Sequence, residues 1–127
     1  MKTFTSFGII ILLALLSASC KKSPSGTQIQ YKIVPADVYI IQYNYTDQTG
    51  QQKSINDISL IQNGTETIQV TQKPFDATFD VKINNSTNAT RYYTVLIYVD
   101  GQIKSFNNFS APAMTYSYDE QIEYMLN

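Results

Sequence analysis

The side chains able to do chemistry are few. In 127 residues there is no histidine and a single cysteine, Cys20, which removes the usual ligands for zinc, copper and iron and the usual general base. One thiol cannot close a disulfide within the chain, so stability has to come from burial. The ten acidic residues fall on turns and outward strand positions, and they form neither the Asp-rich loop of a calcium site nor a short paired motif. Asp47 and Asp100 would approach each other if their two turns shared one end of the fold. Turn chemistry, in which Asp accepts hydrogen bonds from the backbone that follows it, accounts for both without a carboxylate dyad. No catalytic residue, metal ligand or cofactor is assigned, and the chain is expected not to be an enzyme. A net charge of −1 lacks the clustered basic surface that a phosphate backbone demands, so no nucleic-acid partner is expected.

Two sets of residues remain, Cys20 with its surroundings and the tyrosines. Met1-Lys2 makes a short basic start, residues 7–16 are an uninterrupted apolar core, and the small residues Ser17-Ala18-Ser19 lead directly to Cys20. That is the three-part layout of an export signal. A membrane-spanning helix needs roughly 20 apolar residues, about twice this core, so a permanent span is not expected. The segment Leu16-Ser17-Ala18-Ser19-Cys20, followed by Lys21-Lys22, resembles a bacterial lipobox of the relaxed kind found in Bacteroidota-type lipoproteins. It departs from the commonest box in having Ser17 rather than Leu three places before the cysteine. The resemblance implies that residues 1–19 are removed as a signal peptide. It also implies that Cys20 receives a diacylglyceryl group on its thiol and an acyl chain, such as palmitate, on its new amino group. Each buried methylene contributes about 0.8 kcal/mol, and two or more chains hold a protein stably on a bilayer. The implied location is the bacterial outer membrane. The periplasmic side is favoured, because Lys21-Lys22-Ser23-Pro24 lacks the acidic residues associated with surface export.

The tyrosines, ten in all, are the main apolar payload, since each aromatic buries about 150–250 Å². Tyr92 and Tyr98, if they lie opposite the core face of their strand, could join Tyr39 or Tyr43 in an exposed aromatic strip able to hold a glycan, a peptide or a partner protein. The alternative is that tyrosines cover both faces of a small fold with their hydroxyls in water.

The elements that must position these residues read with a period of two, the signature of half-buried strands. Residues 20–28 are a polar Lys, Ser, Pro and Gly tether, which leaves 29–127 as a single domain. Ile29, Tyr31 and Ile33 alternate with polar residues up to Pro35. Residues 38–45 place Tyr39, Ile41, Tyr43 and Tyr45 on one face and Val38, Ile40, Gln42 and Asn44 on the other, and the chain then turns toward Gly50. Residues 52–61 fit neither period well and are read as a strand. Asn63-Gly64 is a hairpin signal before a strand at 65–72 with Ile68 and Val70 inward, and Lys73-Pro74 breaks the ladder. Phe75, Ala77, Phe79, Val81 and Ile83 form the cleanest inward face. After a polar loop at 84–90, residues 91–100 are apolar enough on both sides for a central strand, with Tyr93, Val95, Ile97 and Val99 toward the core. Asp100-Gly101 returns the chain along 102–106. Residues 107–114 read as a loop, and 115–126 as a final strand with Tyr116, Tyr118, Ile122, Tyr124 and Leu126 on one face. Seven to eight short strands joined by turns predict an all-β fold, an antiparallel β-sandwich of immunoglobulin-like topology without the Cys-Trp-Cys hallmark of antibody domains.

The runs Val38-Tyr39-Ile40, Tyr43, Tyr45-Thr46-Asp47 and Gly50, followed by Val95-Leu96-Ile97-Tyr98-Val99-Asp100-Gly101, resemble the hairpins of the MmpS-like small membrane-anchored proteins over about residues 30–106. Many of those proteins have a transmembrane helix and a cysteine pair, and this chain has neither pattern. The resemblance implies a β-sandwich outside the membrane and, as one alternative, an accessory subunit of a resistance-nodulation-division type transporter. The other alternative, carried by the lipobox and the empty catalytic inventory, is a non-enzymatic, lipid-anchored envelope protein that binds or spaces another envelope component.

Overall fold

Strand-forming runs separated by Gly, Pro, Asn and Asp assemble into two facing sheets. The computed structural model describes residues 25–127. The strands are β1 (Thr27–Val34), β2 (Ile40–Thr46), β3 (Gln52–Ile55), β4 (Thr65–Val70), β5 (Phe75–Asn85), β6 (Arg91–Val99), β7 (Gln102–Ala111) and β8 (Thr115–Leu126), with one helical turn, α1 (Ile58–Ile61), between β3 and β4. All pairings are antiparallel, in the orders β4-β1-β6-β7 and β3-β2-β5-β8. The expected all-β sandwich is therefore the fold. Within that architecture the strand order is its own. β1 and β2 lie in opposite sheets, whereas the immunoglobulin constant type keeps its first two strands side by side.

The core sits between the sheets where the two-residue period puts it. Ile29, Tyr31 and Ile33 of β1, Phe75 through Ile83 at every second position of β5, and Tyr93, Val95, Ile97 and Val99 of β6 are all buried. β6 is an inner strand, flanked by β1 and β7. Around Asp100-Gly101 the chain reverses as expected, with both residues at positive φ. The turn is tied to the start of β1, where Gln28 N–H donates to Asp100 Oδ1 and Asp100 N–H to the Gln28 carbonyl, each at 2.9 Å.

Four stretches differ from the sequence reading. A bulge between Ile40 and Gln42 shifts the register of β2 against β5, so Ile40 is buried with Tyr43 and Tyr45 while Ile41 is exposed. One extra residue reverses the faces on either side of it. Residues 52–61 are not one strand. β3 stops at Ile55, and Asp57 caps α1 by accepting from Ser59 N–H at 2.9 Å and Ser59 Oγ at 2.6 Å, an N-cap that ends strand geometry. This turn buries Ile61 against the open side of the core. β7 runs on to Ala111 through Asn107 and Asn108, because pairing with β6 outweighs their weak strand preference. In β8 the expected inward set is incomplete, with Ile122 and Leu126 buried but Tyr116 exposed.

The connections divide between two ends. At the entry end lie Thr27, the turns after β2, β4 and β6, and the C-terminal Asn127. At the far end lie Pro35, the β5–β6 loop and the β7–β8 connection. Asn85, fully buried, fastens the far-end loops together. Its amide nitrogen donates to the carbonyls of Ala89 and Ala111 at 2.9 Å and of Pro112 at 3.0 Å, and its Oδ1 accepts from Thr87 N–H and Oγ1.

Candidate binding surface

The tyrosines divide by the strand face they occupy. Tyr31, Tyr43 and Tyr93 face the core, and each hydroxyl finds a polar partner across it. Tyr31 Oη donates to the Thr46 carbonyl at 2.8 Å and Tyr43 Oη to Glu66 Oε1 at 2.7 Å. Tyr93 Oη lies 3.1 and 3.3 Å from the two oxygens of Asp37. Burial pushes all three phenols above the ordinary tyrosine range, and the neighbouring carboxylates add to this for Tyr43 and Tyr93. The rings of Tyr31, Tyr43, Tyr45 and Phe79 pack with centroids 5.4 to 6.4 Å apart.

Tyr43 therefore does not belong to an exposed strip. Its ring is in the core, turned there by the β2 register beyond the bulge. Tyr39 is half-buried beneath the Arg91 guanidinium, which lies 3.9 Å from its ring centroid, a cation–π contact. Tyr92 and Tyr98 do take the outward side of β6. Tyr98 is half-buried between Gln30 of β1 and Ile103 of β7, while Tyr92 is 73% exposed. The four residues do not form one surface, and Tyr92 is the one exposed ring among them.

What surrounds Tyr92 comes from the way β1 ends. The last β1–β6 pair is Val34 with Thr94, after which Pro35 leads the chain to the other sheet. β6 continues to Arg91 with only β7 beside it. The missing neighbour leaves a notch of about 560 Å³, lined by Val34, Pro35, Tyr92, Thr94, Asn108 and Ser110 and floored by Tyr93 and Phe109. Behind the floor, Tyr93, Phe109 and Tyr118 stack in a column with centroid spacings of 5.5 and 5.6 Å. The column links β6 and β7 of one sheet to β8 of the other beneath the notch. In the rim, Thr94 Oγ1 donates to Asn108 Oδ1 at 2.7 Å, so the donor end of that amide is the part left for a ligand.

A second depression, about 520 Å³, lies on the outer face of the other sheet, lined by Gln42, Asn44, Gln52, Ser54, Thr78, Asp80 and Gln121. Its side chains spend their capacity on one another. Asn44 accepts from Gln42 and Ser54 and donates to Asp80, and Gln52 donates to the hydroxyls of Thr46 and Thr78.

Asp47 and Asp100 do share the entry end, where Asp47 accepts from the backbone that follows it and Asp100 Oδ1 accepts from Gln28 N–H of β1. Asp47 Oδ1 accepts from Thr49 N–H, Thr49 Oγ1 and Gln51 N–H, and the Thr49 bonds hold its carboxyl below the usual carboxylate range. Cys20 and its flanking segment lie outside the described residues. The expected strip carried one residue of the notch, Tyr92. Thr94 was outward by the same alternation as Tyr92, whereas Asn108 and Ser110 gave no sequence signal, because residues 107–114 read as a loop and only the β6–β7 register sets them beside Tyr92. No protein-family model matches the chain, and no curated protein matches it.

Proposed function

We propose that this chain is a non-enzymatic, lipid-anchored module of the bacterial cell envelope that binds another envelope component through the far end of its sandwich. The observation that carries the reading is the relation between the lipobox-like cysteine and the first strand. β1 starts at Thr27, so a fully extended chain from Cys20 spans at most roughly 25 Å at 3.3–3.6 Å per residue. A tether that short holds the entry end within that distance of the bilayer. The notch lies at the opposite end of β1, roughly 25 Å farther out for eight residues in strand geometry. An anchored domain of this build offers its open surface away from the membrane.

Replacing Cys20 by Ala tests the anchor. The wild-type chain is expected in the membrane fraction, with a diacyl or triacyl mass increment on the peptide that begins at Cys20, and Cys20→Ala in the soluble periplasmic fraction. Retention of the variant in membranes would overturn the reading.

A further inference from the structure

We infer that the notch at the far end of β6 is a binding site for a neutral oligosaccharide, an inference that deepens the binding-module reading by naming its ligand class. A pyranose offers an apolar C–H face ringed by hydroxyls. The notch offers a matching set on one face of one sheet. Tyr92 stands opposite Ser110, and the next outward pair along the same strands is Thr94 with Asn108. Side chains directly opposite in an antiparallel pair sit about 4.5–5.5 Å apart. One open aromatic ring is thus flanked by two hydroxyls and an amide within reach of a single sugar ring. Apolar walls with a few placed polar groups are what fix a small ligand in a groove.

Charge selects the class further. The notch is lined by no Asp, Glu, Lys or Arg side chain. The charges nearest in sequence are Arg91, engaged on the Tyr39 ring, Asp37, engaged on the Tyr93 hydroxyl, and Lys32, one outward pair along β1 from Val34 and outside the notch lining. An anionic glycan or a phosphate would meet no counter-charge among the side chains that line the notch. A peptide fits less well. Polyproline segments dock in grooves between several exposed aromatics, whereas Tyr92 is the one exposed aromatic among the residues that line the notch. Strand addition would have only residues 91–93 of β6 to pair with on the open side.

The full-length protein in detergent is run through native gels containing a soluble β-glucan, an α-glucan, a galactomannan or a xylan, with polygalacturonate as the anionic counterpart. At least one neutral polysaccharide is expected to retard it. Tyr92→Ala is expected to weaken retardation about tenfold and Asn108→Ala about fivefold, the sizes of a lost stacking contact and a lost hydrogen bond. Tyr92→Phe keeps most of the effect. Phe106→Ala, an exposed apolar residue on the same sheet face outside the notch, leaves it unchanged, and circular dichroism confirms that each variant is folded. Retardation by no neutral polysaccharide, by polygalacturonate alone, or equally in wild type and Tyr92→Ala would overturn the inference. So would binding confined to a proline-rich peptide array. Cys20→Ala is expected to change the location of the protein and not its retardation, so failure of the anchor and failure of the sugar site read out separately.

Discussion

Two adjacent asparagines show how little residue type says about energetic weight. Asn85 is fully buried and satisfies carbonyls on three separate residues while accepting twice from Thr87. Asn84, next to it, holds its Oδ1 buried with no hydrogen-bond partner. Truncating Asn85 strands several buried groups at once, so Asn85→Ala is expected to cost about 2–4 kcal/mol. Truncating Asn84 removes a group that is already unsatisfied, so Asn84→Ala is expected to stay within about 0.5 kcal/mol of wild type or to stabilise. Urea midpoints at constant m-value measure both, and equal losses at the two positions would refute this assignment. In the sequence the pair sits in a run of polar residues with no apolar anchor, where nothing separates the member that fastens two loops from the member that does not. Tyr92 was legible as an outward residue from the alternation of β6. Asn108 was not, because its place depends on a partner strand.

At the scale of elements, alternation was sufficient in inner strands whose inward face runs unbroken. β5 is the case in point, with Phe75, Ala77, Phe79, Val81 and Ile83 all buried. It failed where an irregularity is local. The bulge in β2 has no composition of its own, and the turn after β3 is set by Asp57 as a cap, a signal that a search for long helical stripes passes over. Asn63-Gly64 reads as a two-residue hairpin, yet it follows α1 and leads into β4, whose partner is β1 rather than β3. The glycine is required there for another reason. Gly64 has φ +57, a Cβ on it would collide with the Ala36 Cβ and lie 3.0 Å from the Ile33 carbonyl oxygen, and its own carbonyl accepts Ile33 N–H at 2.8 Å. Gly50 also has positive φ but open space around it. Gly50→Ala is expected to cost about 1–2 kcal/mol, the left-handed penalty alone, and Gly64→Ala distinctly more, because crowding at the end of β1 adds to it. Denaturant midpoints of the two variants decide it, and a Gly64→Ala loss no larger than that of Gly50→Ala would show that the β1 end yields freely.

For the molecule as a whole, the two sheets are joined through the core by phenols, and this sets how the fold meets alkali. Tyr31 of one sheet reaches Thr46 of the other, Tyr43 reaches back to Glu66, and Tyr93 reaches Asp37 in the connection between β1 and β2. In the unfolded chain these tyrosines ionise near pH 10. In the fold, burial holds their protons to higher pH. Above about pH 10 the unfolded state therefore binds fewer protons than the folded state, and stability falls as pH rises. Below that point the contribution is fully present. The chain has no histidine, so no ordinary side chain adds a step between pH 5 and 8. Urea midpoints are expected to be level through neutral pH and to drop steeply above about pH 10, with the tyrosinate absorbance of Tyr31, Tyr43 and Tyr93 rising together with the loss of β-sheet circular dichroism. Tyr31→Phe separates the two roles of the hydroxyl. It gives up a hydrogen bond worth about 1 kcal/mol at neutral pH, yet removes one of the groups whose ionisation drives unfolding, so its stability should decline less steeply in alkali than that of wild type. Ionisation of the three phenols while the sheets remain intact would refute the argument, because it would mean that water reaches the core without the sandwich opening.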